Sequence, residues 1–554
     1  MNKKVCSFPI LFALLALLIG TCTVVFPASA QAAPSATGSI TVTGTVARSY
    51  DAYQIFDANV VDDDNDAKIA TDFVWASDAV RDAALPVLHS AGMPNSQTTA
   101  QEAAEWLNTD SHLTSALSAQ LARSLQSSGA ELVALNAGTT AELPCGYWLI
   151  VAKDDAIAQG EAGTAPIIAL VGGNAVTVKP KAATPKVQKH VLEDSTAAWR
   201  KAADATVADD LYWRLSATVP AGLTAYDTYT VQFVDTMSAG LDPSKVAASM
   251  RVYVAAGTDG GFDAVSADKD GRAGTEPAKD WTDITAQCRV SVDGKTFTVR
   301  TGDLIAALGG ADAFTAGARV VAVYNAPLNS ACNHGIAKGN PNEVYLRYPR
   351  SPFADQSGDA GFTHTPSDDA CAYTWDLALT KRGSDGDKPL AGAVLSITDD
   401  RGRTLAADGT WDAQGKATVT TGEDGRVTVS GVDSGKLEVR ELKAPKGYTA
   451  FEGTRSVTVK AEGLDVDQVA AAKPKLTITA ESPLRADSAD GSTGSLEASL
   501  INTPTGTPPS ITTGGFMPST GDMAMYAAAA AAVAGAALIV VALLVKRGGG
   551  SHKE

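Results

Sequence analysis

The side chains with the most chemistry to offer are four of the six cysteines, Cys145, Cys288, Cys332 and Cys371, with Cys6 and Cys22 lying in an N-terminal segment expected to be removed, six histidines, and the acidic run Asp62-Asp63-Asp64-Asn65-Asp66. Thiols of an exported chain can close up to two disulfides, and four cysteines permit three complete pairings, among which spacing alone does not choose. No two cysteines have CxxC spacing and the histidines are scattered, which argues against zinc. The acidic run offers oxygen ligands to calcium. It lacks the mid-loop glycine and distal glutamate of an EF-hand, however, and reads as a solvated loop. Asp385-Gly386-Asp387 and Asp399-Asp400-Arg401-Gly402 read as turns. No Ser-His-Asp order, phosphate loop or metal-binding helix emerges, so the residues indicate no turnover enzyme, no metal and no cofactor.

Both ends are apolar. Lys3 and Lys4 precede the apolar stretch 8–26, and Ala28-Ser29-Ala30 supplies the small residues of a signal-peptidase site, with Ala30-Gln31-Ala32 a second option. Residues 1–30 are therefore expected to direct export and to be removed. Near the other end, 523–545 is uncharged and mostly apolar, with Lys546 and Arg547 behind it. Its length, at about 1.5 Å per residue, crosses the roughly 30 Å hydrocarbon layer, and the two cations stop transfer on the cytoplasmic side. The formal net charge is −17, and removal of both ends takes away more cations than acids. Such an acidic body favours solubility and disfavours nucleic acid.

The elements that position these residues come next. Roughly 490 residues remain between the ends, too many for one core and about right for three domains. In the first, 31–183, the alternating run 39–46 and the segment 53–56 read as strands. The stretch 98–125, with Ala103, Trp106 and Leu107 at helical spacing, predicts one or two helices over a sheet, before strands return at 143–151 and 167–178. The second domain, 184–350, is nearly pure β, with strands at 212–217, 229–234, 290–300 around Val292-Asp293-Gly294, 318–324 and 344–348. The polar segment 351–369 reads as a linker, the third domain, 370–503, is again strand upon strand, and 504–516 is a flexible stalk. The expected class is mainly β: tandem immunoglobulin-like sandwiches behind an N-terminal α+β domain carrying short helices. Trp75, Trp106, Trp148 and Trp375 are expected in cores.

Met517-Pro518-Ser519-Thr520-Gly521, just ahead of the apolar run, resembles the LPxTG sorting signal of Gram-positive surface proteins, with Met517 in place of Leu. The resemblance implies that 517–554 is a sorting signal, cut by a sortase between Thr520 and Gly521.

In the third domain, Leu437-Glu438-Val439-Arg440-Glu441-Leu442-Lys443-Ala444-Pro445-Lys446-Gly447-Tyr448 resembles the E-box of collagen-adhesin B-type domains. Thr380-Lys381 with Lys388-Pro389-Leu390-Ala391-Gly392-Ala393 matches the first strand and turn of that family, and Ile501-Asn502-Thr503-Pro504 its last strand. The family fold implies that Lys381, Glu441 and Asn502 meet in one core. There a buried lysine loses its proton more readily, a buried glutamic acid keeps its own, and Glu441 can relay protons while Lys381 attacks the Asn502 amide and ammonia leaves. The implied product is an intramolecular isopeptide bond.

The second domain gives a mixed reading. Pro185-Lys186-Val187-Gln188-Lys189 and Val231-Gln232-Phe233-Val234-Asp235-Thr236 resemble the lysine and aspartate strands of backbone-pilin middle domains, which implies Lys189 as nucleophile and Asp235 as proton relay. In Asn342-Glu343-Val344-Tyr345-Leu346-Arg347-Tyr348-Pro349-Arg350, Arg350 stands where the family pattern implies the acceptor asparagine. The expectation is therefore no bond in this domain, with an Asp235–Arg350 charge pair and a Cys288–Cys332 disulfide as substitutes. Asn342 as a replacement amide is the alternative.

Val176-Thr177-Val178-Lys179-Pro180-Lys181 resembles the pilin motif of sortase-assembled pili, with Lys179 in place of Tyr. It implies that a pilus sortase passes Thr520 of one copy to Lys181 of another, with Lys179 or Lys186 as other possible acceptors. Taken together, these motifs are similar to those of major fimbrial pilins of Gram-positive bacteria. They imply a secreted, wall-anchored shaft subunit that supports adhesion. Its partners would be further copies of itself, a pilus sortase, a housekeeping sortase and peptidoglycan, a tip pilin, and a host or bacterial surface ligand. A monomeric wall-anchored adhesin is the alternative.

Overall fold

The computed structural model describes residues 37–44, 47–62, 67–109, 112–157, 160–180, 184–220, 223–257 and 281–506. The terminal segments expected to direct export and sorting, including Met517, Pro518, Ser519, Thr520, Gly521 and the run 523–545, lie outside them, as do Lys181 and Asp63-Asp64-Asn65-Asp66. Among the described residues no helix is long and apolar enough to cross a membrane.

The chain is mainly β, in successive two-sheet units. In the N-terminal unit, strands Lys68–Trp75, Ser49–Asp62, Gly146–Ala152 and Ile167–Val171 form one sheet, and Thr140–Pro144, Thr37–Val42 and Val176–Val178 form another. Ile40, Leu143, Trp148 and Val171 fill the space between the two sheets. Helices Asp78–Ser90, Ala100–Leu107 and Ser115–Ser128 cover the larger sheet and bury Leu88, Leu121 and Leu125 against Ile55 and Leu149. Each helix starts at a hydroxyl cap. Ser77 accepts from Val80 N, Thr114 from Leu117 N, and Thr99 forms a capping box with Glu102. The first helix was not expected, because Pro86 interrupts its pattern and ordinarily breaks a helix.

The middle unit is a sandwich. One sheet has the order Ala198–Arg200, Val187–Glu193, Tyr212–Thr218, Arg319–Asn325, Arg251–Ala255, Trp281–Asp283. The other runs Ala202–Asp204, Asp368–Tyr373, Asn340–Pro349, Gln232–Met237, Thr296–Arg300, Arg289–Asp293, with Phe362–His364 added on Asn340–Pro349. The hairpin expected around Gly294 forms, with that glycine at φ 58°, where an L side chain would be strained.

The segment read as a linker, 351–369, is part of this sandwich. Phe362–His364 and Asp368–Tyr373 are sheet strands, and Gln356 accepts from Thr230 N at 3.0 Å. Polar, turn-rich composition does not reveal such short strands, which gain their stability from neighbours already in place. The expected boundary at residue 370 moves accordingly. Asp368–Tyr373 closes the middle unit and Trp375–Gly383 opens the next, with only the fully buried Thr374 between them.

In the C-terminal unit, Arg426–Val432, Trp375–Gly383, Ser495–Pro504 and Tyr448–Thr449 form one sheet, with Leu484–Asp490 also on Ser495–Pro504. The facing sheet runs Trp411–Asp412, Thr404–Leu405, Val394–Thr398, Gly435–Lys443, Thr454–Glu462, Lys475–Ala480. The first and last strands of the unit are parallel neighbours. The seam with the middle unit is polar and specific: the buried Asp204 carboxylate accepts from Trp375 Nε1 at 2.7 Å and Ser434 N at 2.9 Å, and Arg403 forks onto Asp209 at 2.5 and 2.7 Å.

Candidate functional site

Successive residues of a strand point to opposite faces, so a polar residue in the inward register is forced into the core. Lys381 follows the buried Leu377 and Leu379 at alternate positions, Asn502 follows Leu496, Ala498 and Leu500, and Glu441 follows Leu437 and Val439. All three thus stand where the pattern calls for an apolar side chain. In the parallel pair Lys381 is opposite Leu500 and Gly383 opposite Asn502, while Glu441 reaches across from the other sheet.

The three groups meet. Asn502 Nδ2 donates to Glu441 Oε1 at 2.9 Å, Lys381 Nζ lies 3.5 Å from the same oxygen, and Lys381 Nζ also donates to Leu500 O at 3.3 Å. Glu441 Oε2 accepts from Phe451 N at 3.1 Å, which fixes the carboxyl rotamer. Burial, opposed by the nearby Glu441 carboxylate, brings the Lys381 amine down to about 8. The Asn502 carbonyl oxygen is buried with no hydrogen-bond partner. A buried, unmet acceptor next to a carboxyl group and a weakened ammonium is an arrangement suited to amide attack.

The middle sandwich repeats this arrangement with other residues. Lys189 shares its inward register with Val187 and Val191, and Asp235 with Phe233 and Met237; in the neighbouring strand Asn342 lines up with Val344, Leu346 and Tyr348. Asn342 is opposite Met237 in the sheet, two residues from Asp235. Lys189 Nζ donates to Asp235 Oδ2 and, at 2.8 Å, to Tyr324 Oη, and it lies 5.4 Å from the ring centroids of both Trp213 and Tyr324. Tyr324 Oη donates to Asp235 Oδ2 at 3.0 Å and accepts from Asn342 Nδ2 at 2.9 Å. Burial, set against the Asp235 charge, lowers the Lys189 amine to about 8, and burial raises the Asp235 carboxyl. Asp235 Oδ1 and Asn342 Oδ1 have no hydrogen-bond partner.

Three expectations are corrected here. Arg350 does not pair with Asp235; it lies beyond the end of Asn340–Pro349 and donates to Asp154 O at 3.4 Å. The amide beside Lys189 and Asp235 is that of Asn342, the alternative, because inward register, which the motif does not display, decides which position enters the core. Cys288 and Cys332 are not joined, and Cys145 and Cys371 are free as well. Each of the first two thiols has its own neighbour: Cys288 Sγ donates to Ile284 O at 3.3 Å, and Cys332 Sγ meets His334 Nε2 at 3.5 Å. Tyr324 was missed as a site residue, since a tyrosine at an inward strand position gives no signal beyond that of a core residue. Near Lys181, the described neighbours Lys179 and Lys186 are both exposed, flanking the passage from Val176–Val178 to Val187–Glu193.

Residues 376–473 match the prealbumin-like fold domain SpaA. Over 143 residues the chain is 30% identical to the trypsin-resistant surface T6 protein of Streptococcus pyogenes serotype M6, a stretch that is 24% of this chain and 24% of that protein. The chain therefore matches about a quarter of the length of this curated relative. Among solved structures, the T6 backbone pilin of serotype M6 Streptococcus pyogenes is similar at 17% identity with a TM-score of 0.46, over 86% of this chain and 100% of that one. The full-length major pilin SpaD from Corynebacterium diphtheriae is similar at 16% identity with a TM-score of 0.39, over 85% of this chain and 98% of that one.

Proposed function

We propose that this chain is the shaft-forming pilin of a wall-anchored fibre, cross-linked within its sandwiches by isopeptide bonds and between copies by a sortase. Support comes from the SpaA domain at 376–473, the identity shared with the T6 surface protein, and above all one observation: Lys381, Glu441 and Asn502 meet between the first and last strands of the C-terminal sandwich.

Those strands carry the chain into and out of the domain, so tension along a fibre would shear them apart. In the reaction, the neutral Lys381 amine attacks Asn502 Cγ, Glu441 relays the proton shed by the lysine to the amide nitrogen, and the C–N bond to that nitrogen breaks as ammonia departs. The Nζ–Cγ bond formed closes a loop of roughly 120 residues and restricts the unfolded chain as a disulfide would. Lys189, Asp235 and Asn342 support the same reaction in the middle sandwich, with Tyr324 bridging the groups. The expectation of no bond there gives way to this reading. Each reaction happens once and within the chain itself, which is not turnover.

For assembly, a pilus sortase would hold Thr520 as an acyl-enzyme and pass it to Lys181 of another copy, giving a head-to-tail fibre, with a housekeeping sortase joining the base to peptidoglycan. Immunoblots of wall extracts test this. SDS-resistant multimers are expected in wild type and monomer in Lys181→Ala; monomer in wild type would instead support a solitary tethered adhesin.

A further inference from the structure

Lys189 sits where its strand has lost one neighbour. On one side Val187–Glu193 pairs with Tyr212–Thr218 from Val187 to Val191, but on the other Ala198–Arg200 covers only Val191, Leu192 and Glu193. Among the described residues no strand pairs with that second edge at Lys189, and the backbone N–H there is met by a side chain instead: Lys189 N donates to Asp368 Oδ2 at 2.6 Å. Asp368 belongs to the facing sheet, where it opens Asp368–Tyr373 and lies opposite Val344, two residues from Asn342 on the neighbouring strand. One carboxylate thus ties the backbone of the nucleophile to the strand pair that carries the acceptor amide.

The same oxygen accepts from Lys201 Nζ, which also donates to Asp369 O at 2.9 Å. Lys201 is 7% exposed and is the one residue between Ala198–Arg200 in the first sheet and Ala202–Asp204 in the second, so the chain crosses the edge of the sandwich through it. Its carbonyl accepts from Cys371 N at 2.9 Å, which fixes the backbone of the crossing. A buried ammonium is costly unless paired, and its partner here is the carboxylate that holds Lys189. After burial, which lowers it most, and Asp235, which raises it, the Lys189 amine feels Asp368 raising it and Lys201 lowering it. Tyr324 is the remaining group against the amine, on Arg319–Asn325. His190, the next residue, is brought down to about 4 by burial and then by Arg214 and Lys201, so it is neutral, and Asp369, raised by burial, stands opposite Glu343. Asp368 alone would hold the backbone but favour the protonated amine; paired with Lys201 it does the first without the second.

On the reading that Lys189 and Asn342 become joined, we infer that Asp368 and Lys201 are positioning residues for that reaction: Asp368 fixes the Lys189 backbone against the strands of the acceptor, and Lys201 neutralises that carboxylate beside the nucleophile. Neither side chain bonds to the Lys189 amine or to the Asn342 amide; both act through the strand edge and through the balance of charge around it.

The test is to refold the whole chain at a series of pH values and follow the Lys189–Asn342 cross-linked peptide by mass spectrometry. In Lys201→Gln the Asp368 charge is left uncompensated, and the midpoint of the rate profile should move up by about half a pH unit, with bonding about threefold slower at neutral pH. In Asp368→Asn the amide oxygen can still accept from Lys189 N while Lys201 loses its counter-ion, so the midpoint should move down by a similar amount; the double substitution should bring it back. Asp368→Ala should cut the plateau rate at least about tenfold, because the strand edge is then released. In the unbonded Asn342→Ala chain, NMR of labelled lysine should show the Lys189 amine itself shifting the same two ways. Opposite shifts are what a merely structural role would not produce. A wild-type bond whose midpoint neither single variant moves, or both move in one direction, overturns this inference alone; a wild type without the bond overturns the cross-link reading along with it.

Discussion

Lys381 lies opposite Leu500 in a parallel strand pair, two positions short of Asn502, and its amine is 3.5 Å from the Glu441 carboxyl that also receives the Asn502 amide. The offset is what brings the amine forward along the strand to the asparagine side chain. It holds only in parallel register, because in an antiparallel pair the two side chains would advance in opposite directions.

The C-terminal bond should therefore depend on Glu441. Intact mass of the wild-type body should fall short of its sequence mass by two ammonias, and Glu441→Ala should restore one. The same variant should melt earlier, with a loss on the order of 4 kcal/mol from the opened loop alone. A wild type at full sequence mass would remove the cross-link claim.

In the middle sandwich, Asn342→Ala should restore the other ammonia, as should Asp235→Ala. Arg350→Ala should leave the mass deficit intact. If Arg350→Ala changes the deficit and Asn342→Ala does not, the assignment from inward register is wrong.

Tyr324→Phe removes a hydroxyl that touches Lys189, Asp235 and Asn342 at once. The bond should still form, but more slowly after refolding, and the unbonded fold should lose about 1–3 kcal/mol through unmet buried groups. Time-resolved mass spectrometry of refolded chain and denaturant melts would measure the two effects separately.

Cross-linking should also respond to pH. Lys189 and Lys381 each titrate near 8 in the fold against 10.5 for an ordinary lysine, so both amines are protonated below about 8 and neutral above. The rate of ammonia loss after refolding should climb as pH rises toward about 8 and then level off. The unbonded fold bears the full burial penalty below about 8 and is relieved of it as pH rises from there to 10.5. A rate that falls over the approach to 8 would contradict the assignment of the lysines as nucleophiles.

The seam between the middle and C-terminal sandwiches should show the opposite trend. Burial, then Asp204, lifts Glu193 from 4.5 to about 7, and the same causes, joined by Asp194 and Glu193, hold Asp433 well above its usual range. Arg401, 3.1 Å from Asp194, is the cation facing this group, with Asp400 close by. Carboxyls raised by folding contribute fully below about 4.5, and that contribution is lost as pH rises through about 7. Hydrogen exchange at Ser434, corrected for its intrinsic rate, should be slower near pH 5 than near pH 8; equal protection would refute this.

The C-terminal site was legible because its motif is local and dense: the turn Ala444-Pro445-Lys446-Gly447-Tyr448 fixes which glutamate precedes it, and Asn502 sits in the last strand before a proline. The middle site was half legible. Lys189 and Asp235 stood in recognisable strands, but the choice between Asn342 and position 350 depends on which face of a strand is inward, and that is settled by neighbours far along the chain. The thiols were misread for the same reason, since no spacing rule brings Cys332 beside His334 instead of Cys288. Helix Asp78–Ser90 was hidden by one proline, and 351–369 by a composition that fits loops and short edge strands equally well.

The single buried residue between Asp368–Tyr373 and Trp375–Gly383 sets how the molecule bears load. With Thr374 locked by its hydroxyl onto Val432 O at 3.2 Å, two neighbouring sandwiches are welded end to end and no slack stretch separates them. Pulled along the chain, this joint would resist bending and yield only a small elastic extension before the two sandwiches part, with no early lengthening from a hinge straightening here.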